Sequence, residues 1–318
     1  MGEDRRIPVA VVGVGYAGRY HAAKYAASEK ARLIGVADVD RPRALECGKD
    51  LGALAVTDHR ELLGRVRAVS VAVPTRAHYE IARDCLARGI DVLVEKPMTA
   101  TLDEARELVA MAGAKGLVLQ VGHLERFNPA IRAVEGVIKE PRFIECNRLA
   151  PFVGRGTDVD VVLDLMIHDI DVISSLVGSP VKRVDAVGVP ILTDKPDIAN
   201  ARITFSNGCV ANVTSSRVSM KRERKIRFFQ ADAYISIDYD QPSAQIYRKP
   251  HPGAGWQDIR GETIEIREGD ALADQIDSFL ESVRTRGAPV VSGADGLRAL
   301  EIASMISQRL SNERQGRR

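Results

Sequence analysis

Three ionisable side chains in this sequence are of types that move protons at a substrate hydroxyl: Lys96, Asp164 and His168. Asp164 and His168 stand four apart in a stretch predicted to be helical over 158–176, so both would project from one face about one turn apart. An imidazole takes up a proton near neutral pH, and a neighbouring carboxylate orients the ring and stabilises the imidazolium. Such a pair serves equally well in a structural ion pair or a metal site. Asp169 and Asp171 diverge from His168 in helical phase, so no further ligand converges and no metal is expected. Lys96 sits in Glu95-Lys96-Pro97, at the end of a predicted strand over 91–94. Doubly wound sheets bind ligands beyond the carboxyl ends of their strands, so Lys96 is expected to point into that crevice. A solvated lysine in an ordinary strand-to-helix turn is the alternative.

Proton chemistry of this kind needs a hydride acceptor, and the N-terminus offers a place for one. An apolar run reaching Val12 leads into Gly13-Val14-Gly15-Tyr16-Ala17-Gly18. Gly13 permits the tight turn, Gly15 lets backbone approach a pyrophosphate, and Gly18 lets the next helix sit close to the strand, with its free amides facing the phosphates. Asp38 ends a second apolar run about twenty residues later, the position from which an acid binds the adenosine ribose hydroxyls and repels a 2′-phosphate. NAD is therefore expected over NADP, with Arg41 and Arg43 read as the exposed start of a helix. Val73-Pro74-Thr75 follows another predicted strand and should face the cofactor, with His78 just beyond. Either a cofactor contact or a helix-surface position suits His78.

These residues need a scaffold, and the first third of the chain supplies one. Apolar runs over 7–12, 32–37, 68–73, 91–94 and 117–121 alternate with helical stretches such as 76–88 and 102–115. Runs such as Val69-Ser-Val-Ala-Val73 lack polar alternation, as strands buried on both faces of a parallel sheet do. The expected fold is a doubly wound α/β Rossmann domain over residues 1–123. Residues 124–318 are predicted to form an α+β domain with a mostly antiparallel open sheet. Its strands are placed at 183–189, 198–205, 209–215, 225–230 and 233–239, with a hairpin at Ser206-Asn207-Gly208. Helices over 271–286 and 295–310 close the chain, and 249–256 reads as a long surface loop.

A formal charge of +2 gives no footprint for nucleic acid, although basic residues cluster between Arg217 and Arg227. The four cysteines are scattered, without a CxxC pair, which fits neither a disulfide framework nor structural zinc. No apolar stretch is long enough to span a bilayer and no signal segment precedes the first strand, so a cytoplasmic location without membrane contact is expected.

The glycine turn, Val73-Pro74-Thr75 with His78, Glu95-Lys96-Pro97, the strand ending Val121-Gly122-His123, and Asp164 with His168 and Asp171 together resemble the Gfo/Idh/MocA oxidoreductases. The resemblance spans nearly the whole chain. It implies an NAD(P)-dependent dehydrogenase of sugars, inositols or nucleotide sugars, in which His168 removes the hydroxyl proton, Lys96 orients and polarises the substrate oxygen, and Asp164 assists. It also implies that Tyr16, Ala17, Glu95 and Lys96 touch the cofactor along with the glycines, Asp38, Val73, Pro74, Thr75 and His78. Homodimers or homotetramers through the open sheet are implied as well. Many members carry glycines around the aspartate where this chain has Val161-Val162-Leu163-Asp164-Leu165-Met166, so its substrate pocket should differ from theirs.

The stretch Gly122 to Ala130, with Asp164 to Asp171, is similar to the branch that oxidises UDP-N-acetylglucosamine at its 3-hydroxyl for 3-amino sugars of lipid A. That resemblance makes a nucleotide sugar the expected substrate. A relative acting on UDP-N-acetylglucosaminuronic acid, a free sugar or inositol dehydrogenase, and a non-catalytic NAD-bound regulator are the alternatives. Arginine and lysine clamp diphosphates well, so Arg126, Arg148, Arg155 and the 217–227 cluster are candidate substrate contacts, together with Asn128. Alternating exposed charge on a strand accounts for the cluster equally simply.

Overall fold

The computed structural model of this chain describes residues 5–154 and 159–316. From Ile7 the chain alternates strand and helix: β1 (Ile7–Val12), α1 (Tyr16–Ala27), β2 (Ala31–Ala37), α2 (Arg41–Leu51), β3 (Leu54–Val56), β4 (Ala68–Val71), α3 (His78–Ala87), β5 (Asp91–Val94), α4 (Leu102–Lys115) and β6 (Leu119–Val121). The six strands make one parallel sheet in the order β3-β2-β1-β4-β5-β6. β4 and β5 are buried along their whole length, which explains their lack of polar alternation. The helices start and stop where local chemistry dictates. Asp40 caps α2 by accepting the Arg43 amide, and Gly52 ends it in the left-handed conformation. Thr101 and Glu104 form a capping box at the start of α4.

Next come α5 (Pro129–Val134), β7 (Phe143–Leu149), a π-turn over Val162–Met166, and α6 (Ile167–Val177). Seven strands follow: β8 (Val181–Val189), β9 (Ile198–Phe205), β10 (Val210–Ser216), β11 (Glu223–Phe229), β12 (Ala233–Asp238), β13 (Ser243–Arg248) and β14 (Arg260–Ile264). The sheet order is β14-β13-β12-β11-β7-β10-β9-β8, antiparallel except where β7 pairs β10 in parallel. On β7, Ile144, Cys146 and Arg148 are buried, and Arg148 bonds to α6 from that face. The opposite face carries Phe143, Phe229, Tyr234 and Tyr247 in a row, with ring centroids 5.0–5.8 Å apart. Helices α7 (Ala271–Thr285) and α8 (Gly293–Gly316) complete the chain.

Two compact units emerge. One holds Met1–Leu124 with Asp270–Leu297, the other Glu125–Gly269 with Arg298–Arg318. Segment 270–297, read from sequence as part of the second domain, therefore groups with the first. The reason is apolar: Ile276, Phe279, Leu280 and Val283 of α7 join Val9, Tyr25, Leu93 and Val118 in one core. The expected helix over 158–176 also differs, because the backbone widens into the π-turn before α6 begins. Strands β3, β7, β13 and β14 were not foreseen. No helix among the described residues is long and apolar enough to cross a membrane.

Candidate active site

The glycine turn opens onto a cavity of about 540 Å³ lined by Gly13, Gly15, Tyr16, Asp38, Val73 and Pro74. Gly13 has φ +84°, and a Cβ there would meet the Ala72 carbonyl oxygen at 2.7 Å. A Cβ on Gly18 would lie 1.7 Å from the Gly13 oxygen, so both glycines are required by the fold itself. Gly15 is different: nothing lies within 4 Å of the same construction. That empty approach is what a pyrophosphate needs, and with α1 opening beside it the cradle fits a dinucleotide. Asp38 is buried and accepts the Val14 amide at 2.9 Å and the Asp40 amide at 2.9 Å. Arg43 lies 3.2 Å from one carboxylate oxygen and also bonds Asp40. This arginine is therefore paired with two acids rather than simply solvated. Val39, Thr57, His59, Arg76, Ala77 and Ile81 line the same cavity and were not anticipated. Their positions after β2, β3 and β4 were the available signal, since these are carboxyl ends of neighbouring strands. Ala17, Thr75, His78, Glu95 and Lys96 are not among its lining residues.

Lys96 lies half-buried just past β5, in a turn held from both sides. The preceding Glu95 accepts the Lys96 amide at 3.3 Å, and its other oxygen lies 3.2 Å from His21 Nε2 on α1. His21 Nδ1 lies 3.3 Å from Ser70 Oγ, which is 2.8 Å from the Tyr25 hydroxyl. Burial alone would push the Glu95 carboxyl up, yet the His21 bond and charge, with Lys96 and His78 beyond, hold it below its ordinary value. A Cβ on Gly122 would come within 2.6 Å of the Glu95 carboxylate, so glycine leaves room for it. His78 is 1% exposed, with Nδ1 2.9 Å from the Pro97 carbonyl and Nε2 2.8 Å from that of Val73. Burial pushes this imidazole down, and the two carbonyls and Glu95 only partly oppose it. Its ring nitrogens thus face main chain.

Asp164 lies within the π-turn and His168 in the first turn of α6, both half-buried. The Ile167 amide reaches back to the Val162 carbonyl, so the pair does not sit on the regular helix expected for its spacing. Asp160 fixes this turn by accepting the Val162 and Leu163 amides at 3.0 Å, and the Ser307 hydroxyl donates to its second oxygen at 2.8 Å. Immediately after His168, Asp169 receives a bidentate pair from Arg148 at 2.7 and 2.8 Å, and Arg148 also donates to Glu125 at 3.0 Å. Asp171 lies 3.7 Å from Arg126. Asp169 therefore ties α6 to β7 of the sheet, and Asp171 ties it to the turn that precedes α5.

The basic residues are accounted for in the same way. Arg148 is 3% exposed, and removing one partner of such a buried pair costs about 3–5 kcal/mol, so it is committed to the fold rather than to a ligand. Arg217 is buried against Asp197 at 2.9 Å. Arg222, Lys225 and Arg227 pair with Asp240, Asp238 and Glu145 at 2.6, 3.3 and 3.4 Å. Asn128 spends its carbonyl capping α5 and its amide on Glu125. Arg155 lies outside the described residues.

Residues 7–123 match the profile of an oxidoreductase family with an NAD-binding Rossmann fold, and residues 130–236 match the GFO/IDH/MocA C-terminal domain. The chain is 40% identical over 301 residues to UDP-N-acetylglucosamine 3-dehydrogenase of Acidithiobacillus ferrooxidans, covering 93% of this chain and 95% of that protein. A solved structure of that enzyme superposes with a TM-score of 0.91 over 96% of this chain and 98% of its own, at 38% identity. The scyllo-inositol 2-dehydrogenase (NAD(+)) of Bacillus subtilis is 25% identical over 334 residues, covering 97% of this chain and 95% of that one. A levoglucosan dehydrogenase in complex with NADH shares the fold at 20% identity, with a TM-score of 0.86 over 97% and 98% of the two chains.

Proposed function

Because this chain belongs to the Gfo/Idh/MocA oxidoreductases, we propose that it is an NAD-dependent dehydrogenase oxidising the 3-hydroxyl of UDP-N-acetylglucosamine to a ketone. The ketone would then pass to an aminotransferase on the way to a 3-amino sugar of lipid A. The observation that carries the reading is the 40% identity, end to end, with an enzyme of that name. The cradle at Gly15 supports NAD, and Asp38 in its wall favours free ribose hydroxyls over a 2′-phosphate.

When bound, NAD supplies the hydride acceptor. His168 takes the hydroxyl proton, Asp164 assists it, and the Lys96 ammonium stabilises charge developing on the substrate oxygen. Arg126 and Arg155 are assigned to the substrate side, whereas Asn128 has both amide atoms engaged at the start of α5. Domain roles follow, with cofactor chemistry in 1–123 and substrate binding in the later residues other than segment 270–297. The reading extends to a homodimer or homotetramer through the aromatic row on the open sheet face, and to a cytoplasmic location supported by four free cysteines.

The test is a screen of NADH formation against UDP-N-acetylglucosamine, UDP-N-acetylglucosaminuronic acid and free inositols, repeated with Lys96→Met and His168→Ala. Turnover of the first substrate is expected, with each variant losing about 10²–10⁴-fold in kcat while still binding NADH. Turnover confined to a free cyclitol, or undiminished in both variants, would overturn the assignment.

A further inference from the structure

We propose that His21 and His78 are positioning residues for Lys96, gripping the chain on either side of it: His21 through the Glu95 carboxylate, His78 through the Pro97 carbonyl. The inference rests on Lys96 acting at the substrate oxygen, as read above. The two imidazoles come from different helices, α1 and α3, and are 2% and 1% exposed. Their partners are the residues immediately before and after Lys96. With both flanks tied, the backbone from which the lysine projects is fixed.

The anchors themselves matter. α1 opens at the glycine turn, and α3, which begins at His78, carries Ile81 into the wall of the cofactor cavity, so each grip ties Lys96 to a segment beside it. The lysine is thereby registered against the walls of the cradle rather than against the sheet in general. A misplacement of about 1 Å at a reacting centre can cost about a hundredfold in rate, so such bracing has a measurable effect. An apolar residue at position 21 would fill the same space without a buried donor facing a carboxylate; the His21–Glu95 pair adds direction that packing cannot.

The two ring nitrogens of His78 can be tested separately, because an asparagine amide nitrogen overlays imidazole Nδ1 and a glutamine amide nitrogen overlays Nε2. His78→Asn keeps a donor at the Pro97 carbonyl and places none at Val73; His78→Gln places a donor at Val73 and none at Pro97. With UDP-N-acetylglucosamine and NAD, His78→Asn should keep kcat within about threefold, while His78→Gln loses about tenfold to a hundredfold, both binding NADH normally. His21→Leu should lose a similar factor and His21→Gln, which still donates to Glu95, should restore most of it. A purely structural role predicts instead that kcat follows Tm, alike in the two position-78 variants. Equal kcat in His78→Asn and His78→Gln, with Lys96→Ala inactive, would overturn the bracing. Full activity in Lys96→Ala would overturn the role of Lys96 itself, so the two failures are separable.

Discussion

At Asp38 one carboxylate already accepts two backbone amides and an arginine, and we expect cofactor choice to turn on that crowding. Arg43 is held by Asp38 and Asp40 together, so its charge is neutralised where a 2′-phosphate would need it. Asp38→Ala removes one of those acids and the repulsion at the ribose. We expect it to weaken NAD binding by about tenfold or more and to bring NADPH within reach of NADH, measured by paired fluorescence titrations. An unchanged preference for NADH would show that another group sets it. The geometry of the glycine turn was legible in sequence because it is local. The pairing of Arg148 with Asp169 and of Arg126 with Asp171 was not legible. Nothing within a few residues of any of the four discloses its partner, so the arginines read as phosphate ligands and the aspartates as loose acids.

Elements differ in how much of their meaning is local. The α1 turn separates two jobs that its motif merges. Gly18→Ala drives a methyl into the Gly13 carbonyl and should destabilise the fold. Gly15→Ala meets nothing and should fold with an unaltered melting temperature yet lose NADH binding by at least about tenfold. Comparing Tm and Kd for the two variants tests this, and a Gly15→Ala protein that binds NADH normally would refute the cradle. β7 was missed for a physical reason. Its inward positions include an arginine, which breaks the apolar alternation, and the partners that justify burying it, Asp169 and Glu125, lie 21 and 23 residues away. The π-turn was equally hidden, since Val-Val-Leu-Asp-Leu-Met keeps helical composition. What widens it is Asp160 below and the Pro196 carbonyl, which accepts the Val161 amide at 3.0 Å.

At the scale of the molecule, both domain types were readable because strand patterning differs so plainly between a parallel sheet and an antiparallel one. The open face of the larger sheet is where association is expected: Tyr247 is 41% exposed at the end of the aromatic row. Tyr247→Glu with Tyr234→Glu should shift the protein to monomers in sedimentation velocity, leaving NADH binding intact. Wild-type protein sedimenting as a monomer would remove the premise. What no local pattern could reveal is the allegiance of α7, whose Ile276, Phe279, Leu280 and Val283 complete the core around Tyr25 and Leu93. Ribosomes build from the amino end, so the unit begun at Ile7 stays unfinished until every strand of the other has been translated. The nascent chain must carry an incomplete apolar surface for that whole interval, and a message truncated before residue 283 would yield a protein unable to close it.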